Sequence, residues 1–263
     1  MSLTKNHAEI LNHFFDKIYV ISLKRSTDRH KLLEKNLEGI NYEIFWGIDG
    51  KKLDLNKLEQ EGIYLPYHTR ILKKREGKKV SDLTNTQIGC ALSHIKVCED
   101  VLINKYQNAL IFEDDVIIDA NKNVNLESAL AELPKDWELL YLGRHGSNND
   151  PSLLLRIQTY LLSNVSKYVQ NFERLRVLNP NVIKCCLPRK YSNHLDLSGY
   201  HHGAYAYAIS NIGARKILNY LLPIVQRNDN AVAELCSYEW IRAFNVKNIA
   251  FFPNRSIPST IND

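Results

Sequence analysis

No apolar run in these 263 residues approaches the roughly 20 needed to cross a bilayer, so no transmembrane segment is expected. The opening MSLTKNHAEILNHFFDK breaks its apolar positions with charges, and lacks both the apolar core and the small-residue cleavage site of a secretion signal. Cysteine is scarce and unpaired in pattern: Cys90, Cys98, Cys185, Cys186 and Cys236 are an odd number with no CxxC. That usage argues against a disulfide framework and against a tetrahedral zinc site. Together these absences predict a cytosolic chain, in which the Asn-x-Ser sequons at Asn164 and Asn254 go unused. Charge of one sign is lacking as well. Lys+Arg (34) exceed Asp+Glu (29) by only +5, too little and too dispersed for a nucleic-acid partner. No internal repeat or low-complexity linker divides the chain, so a single domain over residues 1–263 is expected.

What is present is an ordinary globular composition, 44% hydrophobic and 24% charged, able to bury a substantial core. The run Lys17–Leu23 (KIYVISL) has the length and β-branched content of a strand. The following segment carries cap candidates at Ser26, Thr27 or Asp28, an apolar stripe at Leu32, Leu33 and Leu37, and a closing Gly39. Tyr42–Gly50 (YEIFWGIDG) then returns to strand character, giving β-α-β and hence a parallel sheet with helices packed on it. Residues 53–80 are mixed, polar and basic, and predict a partly mobile excursion. Its cluster Lys73-Lys74-Arg75 with Lys78-Lys79 suits a solvated loop, or a flap that draws an anionic substrate or a membrane surface and makes the chain peripheral to a membrane.

Ile88, Ala91, Leu92, Ile95, Cys98, Val101 and Leu102 recur at three- and four-residue steps and predict a long helix from Ser81 or Thr84 to Lys105. Strands are expected at Asn108–Ile118, Trp137–Gly143 and Gly203–Ser210, the last with Tyr205 and Tyr207 on one face. Ser210 or Asn211 can cap a helix that Pro223 ends, and IAFF after Asn245 resembles one more strand. Residues 144–200 are poorly legible, with helical stretches expected around 153–169 and an acceptor-side insertion placed there.

The strongest chemical signal is Glu113-Asp114-Asp115, three carboxylates at the end of an apolar strand. Like charges crowded at a sheet edge are costly unless a cation compensates them. Strand alternation turns Glu113 and Asp115 to one side and Asp114 to the other. Hard oxygen ligands suit Mn²⁺ or Mg²⁺ bridged to a phosphate rather than zinc. In open α/β sheets the ligand crevice lies beyond the carboxyl ends of strands, where these acids fall. A solvated acidic turn or a helix cap would have the same local sequence.

The triplet resembles the DxD-type signature of nucleotide-sugar glycosyltransferases. It stands in order with YVISLKRSTDRHKLL (19–33), FWGIDG (45–50), IGCALSHIKVCEDVL (88–102), WELLYLG (137–143) and GAYAYAISNIGARKIL (203–218). Together these segments resemble glycosyltransferase family 25, the lipooligosaccharide and procollagen galactosyltransferases, over about residues 17–225. The resemblance implies an α/β, GT-A-like fold: a Rossmann-related mixed sheet flanked by helices, a nucleotide-sugar half at 17–143 and an acceptor half at 144–263. It also implies a divalent metal site at the end of a central strand.

Carried over residue by residue, the resemblance makes Glu113 and Asp115 metal ligands, with Mn²⁺ or Mg²⁺ as cofactor, and sets Asp114 by the donor ribose or sugar. Val20, Ile21, Ser22 and Leu23 would lie against uracil or ribose. Arg25 or Arg29 would pair with the diphosphate, and Asp49 would help hold the nucleotide. Ser93 and His94 match the family's SH pair; on a helical wheel His94 falls at the edge of the apolar stripe, so a half-buried structural histidine is the competing reading. His201 or His202 could add a metal ligand or be exposed loop residues. Asp229 is the candidate base, with Glu234 and Glu239 behind it, although the spacing before Asp229 is longer than in the family.

The implied activity is metal-dependent, inverting transfer of a hexose, galactose first, from a UDP-sugar. Its acceptor would be a hydroxyl of a glycan, lipooligosaccharide or hydroxylysine-bearing protein. A non-catalytic nucleotide-sugar or glycan binder and a glycoside hydrolase are the alternatives from other classes.

Overall fold

A computed structural model describes residues 5–75, 79–118, 124–143, 152–168, 183, 185–201, 203–248, 251–254 and 256. Its centre is an eight-stranded mixed sheet ordered β2-β1-β3-β8-β5-β9-β7-β6. The strands are β1 (Lys17–Ser22), β2 (Glu43–Trp46), β3 (Asn108–Glu113), β5 (Leu139–Gly143), β6 (Arg189–Lys190), β7 (Leu195–Leu197), β8 (Ala206–Ser210) and β9 (Ala243–Val246). β4 (Val116–Ile118) and β10 (Phe251–Pro253) form a separate antiparallel pair. β1 runs parallel to β2 and β3, and β5 parallel to β9, while β8 lies antiparallel between β3 and β5. This is the expected mixed α/β architecture.

Alternation along the strands divides the core into two layers. Tyr19, Ala109, Ile111, Tyr207 and Ile209 face a cluster built on α5 (Asn85–Ile103), α8 (Asn211–Leu221) and α9 (Asn228–Ser237). Ile18, Val20, Leu110, Phe112, Ala206 and Ala208 face the opposite layer, closed by α1 (Lys5–Phe14), α2 (Thr27–Asn36) and α6 (Leu126–Ala131). The long helix starts where its cap signal predicts. Thr84 accepts from the Gln87 amide at 3.2 Å, and the Gln87 side chain accepts from the Thr84 amide at 3.1 Å, a capping box that satisfies two otherwise unpaired donors. Ser210 likewise caps α8 by accepting from Gly213 N.

Several expectations need correction. α1 was not anticipated; its Ala8 and Leu11, with Phe15 just beyond, are buried against the sheet, so charges between them cover only its outer side. The supposed excursion at 53–80 holds α3 (Leu55–Gln60) and α4 (Pro66–Arg75). Asp54 caps α3, and Pro66 opens α4, where its missing N–H costs nothing. Lys73 and Lys74 therefore lie on a helix, and residues 76–78 fall outside the described residues. α7 (Leu153–Tyr168) appears where a helix was expected, but the β6–β7 hairpin and β9 were missed. Two- to four-residue strands show too few alternations to be read. Tyr205 precedes β8 rather than sharing a strand face with Tyr207, although both are buried.

The hairpin is tied back by Glu132, at the end of α6, which accepts from Ser192 Oγ, His194 N and His194 Nδ1. The Ser192 and His194 bonds hold its carboxyl down to about 2. The stability this group contributes is therefore complete above the ordinary carboxylate range and is lost as pH falls toward about 2. Glu132→Gln should lower stability at neutral pH and flatten the acid limb between those values, measured by urea unfolding across a pH series.

Candidate functional site

The site forms where β1 and β3 end side by side. Ile21 is in register with Glu113, and the next residues, Ser22 and Asp114, meet through a 2.6 Å hydrogen bond from Ser22 Oγ. Alternation sends Glu113 toward the α5 layer and Asp114 toward the α2 layer, as the strand pattern predicts. Asp114 is consumed there by a buried ion pair with Arg29. Ser22 Oγ also meets His30 Nε2 at 3.0 Å.

On the α5 side Glu113 meets the segment before β8. Glu113 N donates to Tyr205 O at 2.9 Å, drawing the segment before β8 across the end of β3. Gly203 N in that segment points to Asp229 Oδ2 at 3.4 Å, at the start of α9. Burial pushes the Glu113 carboxyl well above the usual range, and the charges of Asp115, Asp114 and Asp229 push the same way, against Arg29. Asp115 is raised too, first by burial, and its Oδ1 is buried without a hydrogen-bond partner.

His94 lies beneath Glu113. It is 2% exposed rather than at the edge of the apolar stripe, because β8 and its Tyr207 close over that side of α5. Its Nδ1 is 2.7 Å from the Tyr207 hydroxyl and its Nε2 is 3.9 Å from Glu113 Oε1. Burial lowers its pKa to about 4, so the ring is neutral near pH 7. With Tyr207 donating to Nδ1, the imidazole presents N–H at Nε2 toward Glu113.

Other expected residues are placed differently. Val20 is completely buried in the α2 layer and its side chain has no surface for a ligand, because position 20 alternates away from the α5 side. Arg29 forms an ion pair with Asp114, and both side chains are nearly buried. Ile21 packs partly against the α5 layer, and Leu23 follows the end of β1. Arg25 Nε holds Asp49 Oδ2 at 3.1 Å while remaining partly exposed. Asp49 also caps a short 3₁₀ turn at Gly50–Lys52 by accepting from Lys51 N. Ser93 accepts from Ile48 N at 2.8 Å and donates to Gly89 O at 2.7 Å, pinning the GIDG loop to α5.

That loop lies so close that a Cβ on Gly89 would stand 2.7 Å from Gly50 N and 2.8 Å from Ile48 O. His201 is buried, with Gly199 N donating to its Nε2 at 3.1 Å, and His202 lies outside the described residues. Glu234 accepts from Tyr220 and Gln226, Glu239 pairs with Arg189 at the surface, and Asp229 pairs with Arg227 Nη2 at 3.3 Å and accepts from Asn230 N at 3.0 Å. Trp46 is exposed at the end of β2 with Lys24 Nζ 5.8 Å from its ring, an exposure its sequence does not signal, because an aromatic ending a strand usually packs.

Among the described residues, no group of three or more His, Cys, Asp or Glu side chains is disposed to hold a metal ion by itself. The donor set nevertheless fits an open site for a hard cation. Two carboxylates are disfavoured as a neighbouring anionic pair, and one buried oxygen lacks a partner. An open site of this kind leaves its remaining positions to water or to a bound phosphate.

Comparison with known proteins bears on what these residues serve. The profile described as Glycosyltransferase family 25 (LPS biosynthesis protein) matches residues 15–233. Procollagen galactosyltransferase 2 of Mus musculus is 27% identical over 91% of this chain and 35% of its own length. Procollagen galactosyltransferase 1 of Danio rerio is 26% identical over 91% of this chain and 36% of its own. A Bos taurus relative named probable inactive glycosyltransferase 25 family member 3 is 27% identical over 78% of this chain. The chain thus spans about a third of the length of the curated relatives it matches. The matched span takes in β1, the GIDG loop, α5, the acids ending β3, and α9 as far as residue 233, and this chain belongs to glycosyltransferase family 25.

Proposed function

We propose that this chain transfers a hexose, galactose first among the candidates, from a UDP-sugar to a hydroxyl of a glycan, lipooligosaccharide or hydroxylysine-bearing protein, with inversion. The observation that carries the reading is the placement of Glu113 and Asp115 at the carboxyl end of β3, with an unpartnered buried oxygen on Asp115 and with Asp229 within electrostatic reach of Glu113. Glu113 and Asp115 would hold Mn²⁺ or Mg²⁺. The ion, when bound, supplies positive charge that stabilises the departing diphosphate. Asp229 takes the proton of the acceptor hydroxyl as its oxygen bonds to the anomeric carbon and the bond from that carbon to UDP breaks. Neutral His94, held by Tyr207, stands 3.9 Å from Glu113 Oε1 without adding a charge. Arg25 and Asp49 border the nucleotide side.

UDP release from a panel of UDP-sugars, with and without Mn²⁺, tests this directly. Metal-dependent turnover of one donor, reduced at least ~100-fold by Asp115→Ala, is expected. Absence of binding to any UDP species would refute it. UDP binding without turnover of any donor, even with acceptors supplied, would favour the non-catalytic reading that the name of the Bos taurus relative suggests. Gly89→Ala probes the nucleotide side. Its methyl must push the Asp49 loop off α5, so donor KM should rise ~10-fold with the fold weakened by about 1–3 kcal/mol, read by initial rates and urea unfolding.

A further inference from the structure

α7 is mounted with its apolar side outward. Leu153, Leu154, Ile157, Tyr160, Leu161 and Val165 are all exposed, between 46% and 74%. The line that faces the protein is polar: Ser163 is buried, Thr159 half-buried, and Arg156 Nη1 donates to Pro188 O at 3.4 Å. An ordinary surface helix does the reverse, as α8 does with Ala214, Ile217 and Leu221 buried. So much contiguous apolar surface on one element marks an interaction face.

Charge selects the occupant. Leu153–Tyr168 contains no acidic residue, and over residues 144–190 the sequence holds eight Lys and Arg against two Asp and Glu. This stretch alone exceeds the +5 of the entire chain. An anionic lipid surface complements the exposed apolar side chains of α7 and the basic balance of the sequence around it. At 1.5 Å per residue a 16-residue helix is about 24 Å long, short of the roughly 30 Å hydrocarbon core but well suited to lie in its interface. No helix of the described residues is long and apolar enough to cross a membrane.

We propose that α7 docks this chain on an anionic bilayer, lying in the plane of the interface with Leu154, Leu161 and Val165 among the inserted side chains. The full chain should float with vesicles of phosphatidylcholine containing phosphatidylglycerol, and about tenfold less with phosphatidylcholine alone. The triple variant Leu154→Gln, Leu161→Gln, Val165→Gln should bind anionic vesicles at least ~10-fold more weakly. Its thermal midpoint and its affinity for UDP should be unchanged, since these side chains are exposed and remote from Glu113 in sequence. Failure of the parent to bind anionic vesicles would overturn the proposal, as would equal binding by the triple variant. A parent chain that is dimeric in solution, and made monomeric by the triple variant, would identify a second copy as the occupant and also overturn it. Because the readout is vesicle binding, it stands or falls separately from sugar transfer.

Discussion

Glu113→Gln is expected to stabilise the metal-free protein while removing sugar transfer. The parent carboxyl is buried beside Asp115 and Asp229, and all these influences raise its pKa. A carboxyl with a raised folded pKa binds its proton more tightly in the native state than when unfolded. Its penalty is absent below the ordinary carboxylate pKa and grows as pH climbs toward the raised value, so the parent loses stability in that direction. An uncharged amide of the same shape avoids the penalty. A gain of about 1–2 kcal/mol near neutral pH is expected, or ~3–6 °C in thermal midpoint for a chain of this size. The same exchange deletes an oxygen ligand and the charge it brings, and transfer should fall by ~100- to 1000-fold. Added Mn²⁺ should raise the midpoint of the parent and not that of the variant. Calorimetry with donor-turnover assays decides it; a variant that is destabilised or fully active would contradict this picture of the site.

Arg29→Ala should act in the opposite sense. Arg29 and Asp114 are both nearly buried, and Asp114 also accepts from Ser22. Removing the guanidinium strands a carboxylate in the α2 layer, which costs about 3–5 kcal/mol for a broken buried pair. It also removes a cation that opposes the raised pKa of Glu113 and Asp115. Loss of fold stability and loss of donor binding should therefore come together. The double variant Arg29→Met, Asp114→Asn should recover much of the stability, because no buried charge remains unpaired. Urea unfolding of the single and double variants measures the coupling. Additive losses would mean that the pair does not act as a unit.

The contrast between these two variants shows where reading the chain linearly stops. The expectation that Glu113 and Asp114 face opposite sides needed only the two-residue period of a strand, and it holds. What each side contains did not follow from it. Arg29 stands 85 residues from Asp114, and Tyr207 stands 113 residues from His94. Periodicity marked His94 as peripheral to its own helix, correctly as geometry, but β8 covers that periphery. The burial of the Val20 side chain in the α2 layer was illegible for a related reason. A central strand between two helical layers is apolar on both faces, so its pattern does not reveal which face turns toward the site.

The amino-acid sequence by itself determined the β-α-β opening, the capped α5, the apolar strand ending in three acids, and the order of segments that resembles the family. Each depends on contacts within a few residues, where backbone sterics, capping and side-chain period act. Only the tertiary structure decided that Asp114 is spent on Arg29, that the segment before β8 and the start of α9 bring Asp229 to Glu113, and that α7 turns its apolar side to the outside. Those outcomes depend on which surfaces are left over once the sheet has closed, and burial of distant partners, rather than local propensity, sets them.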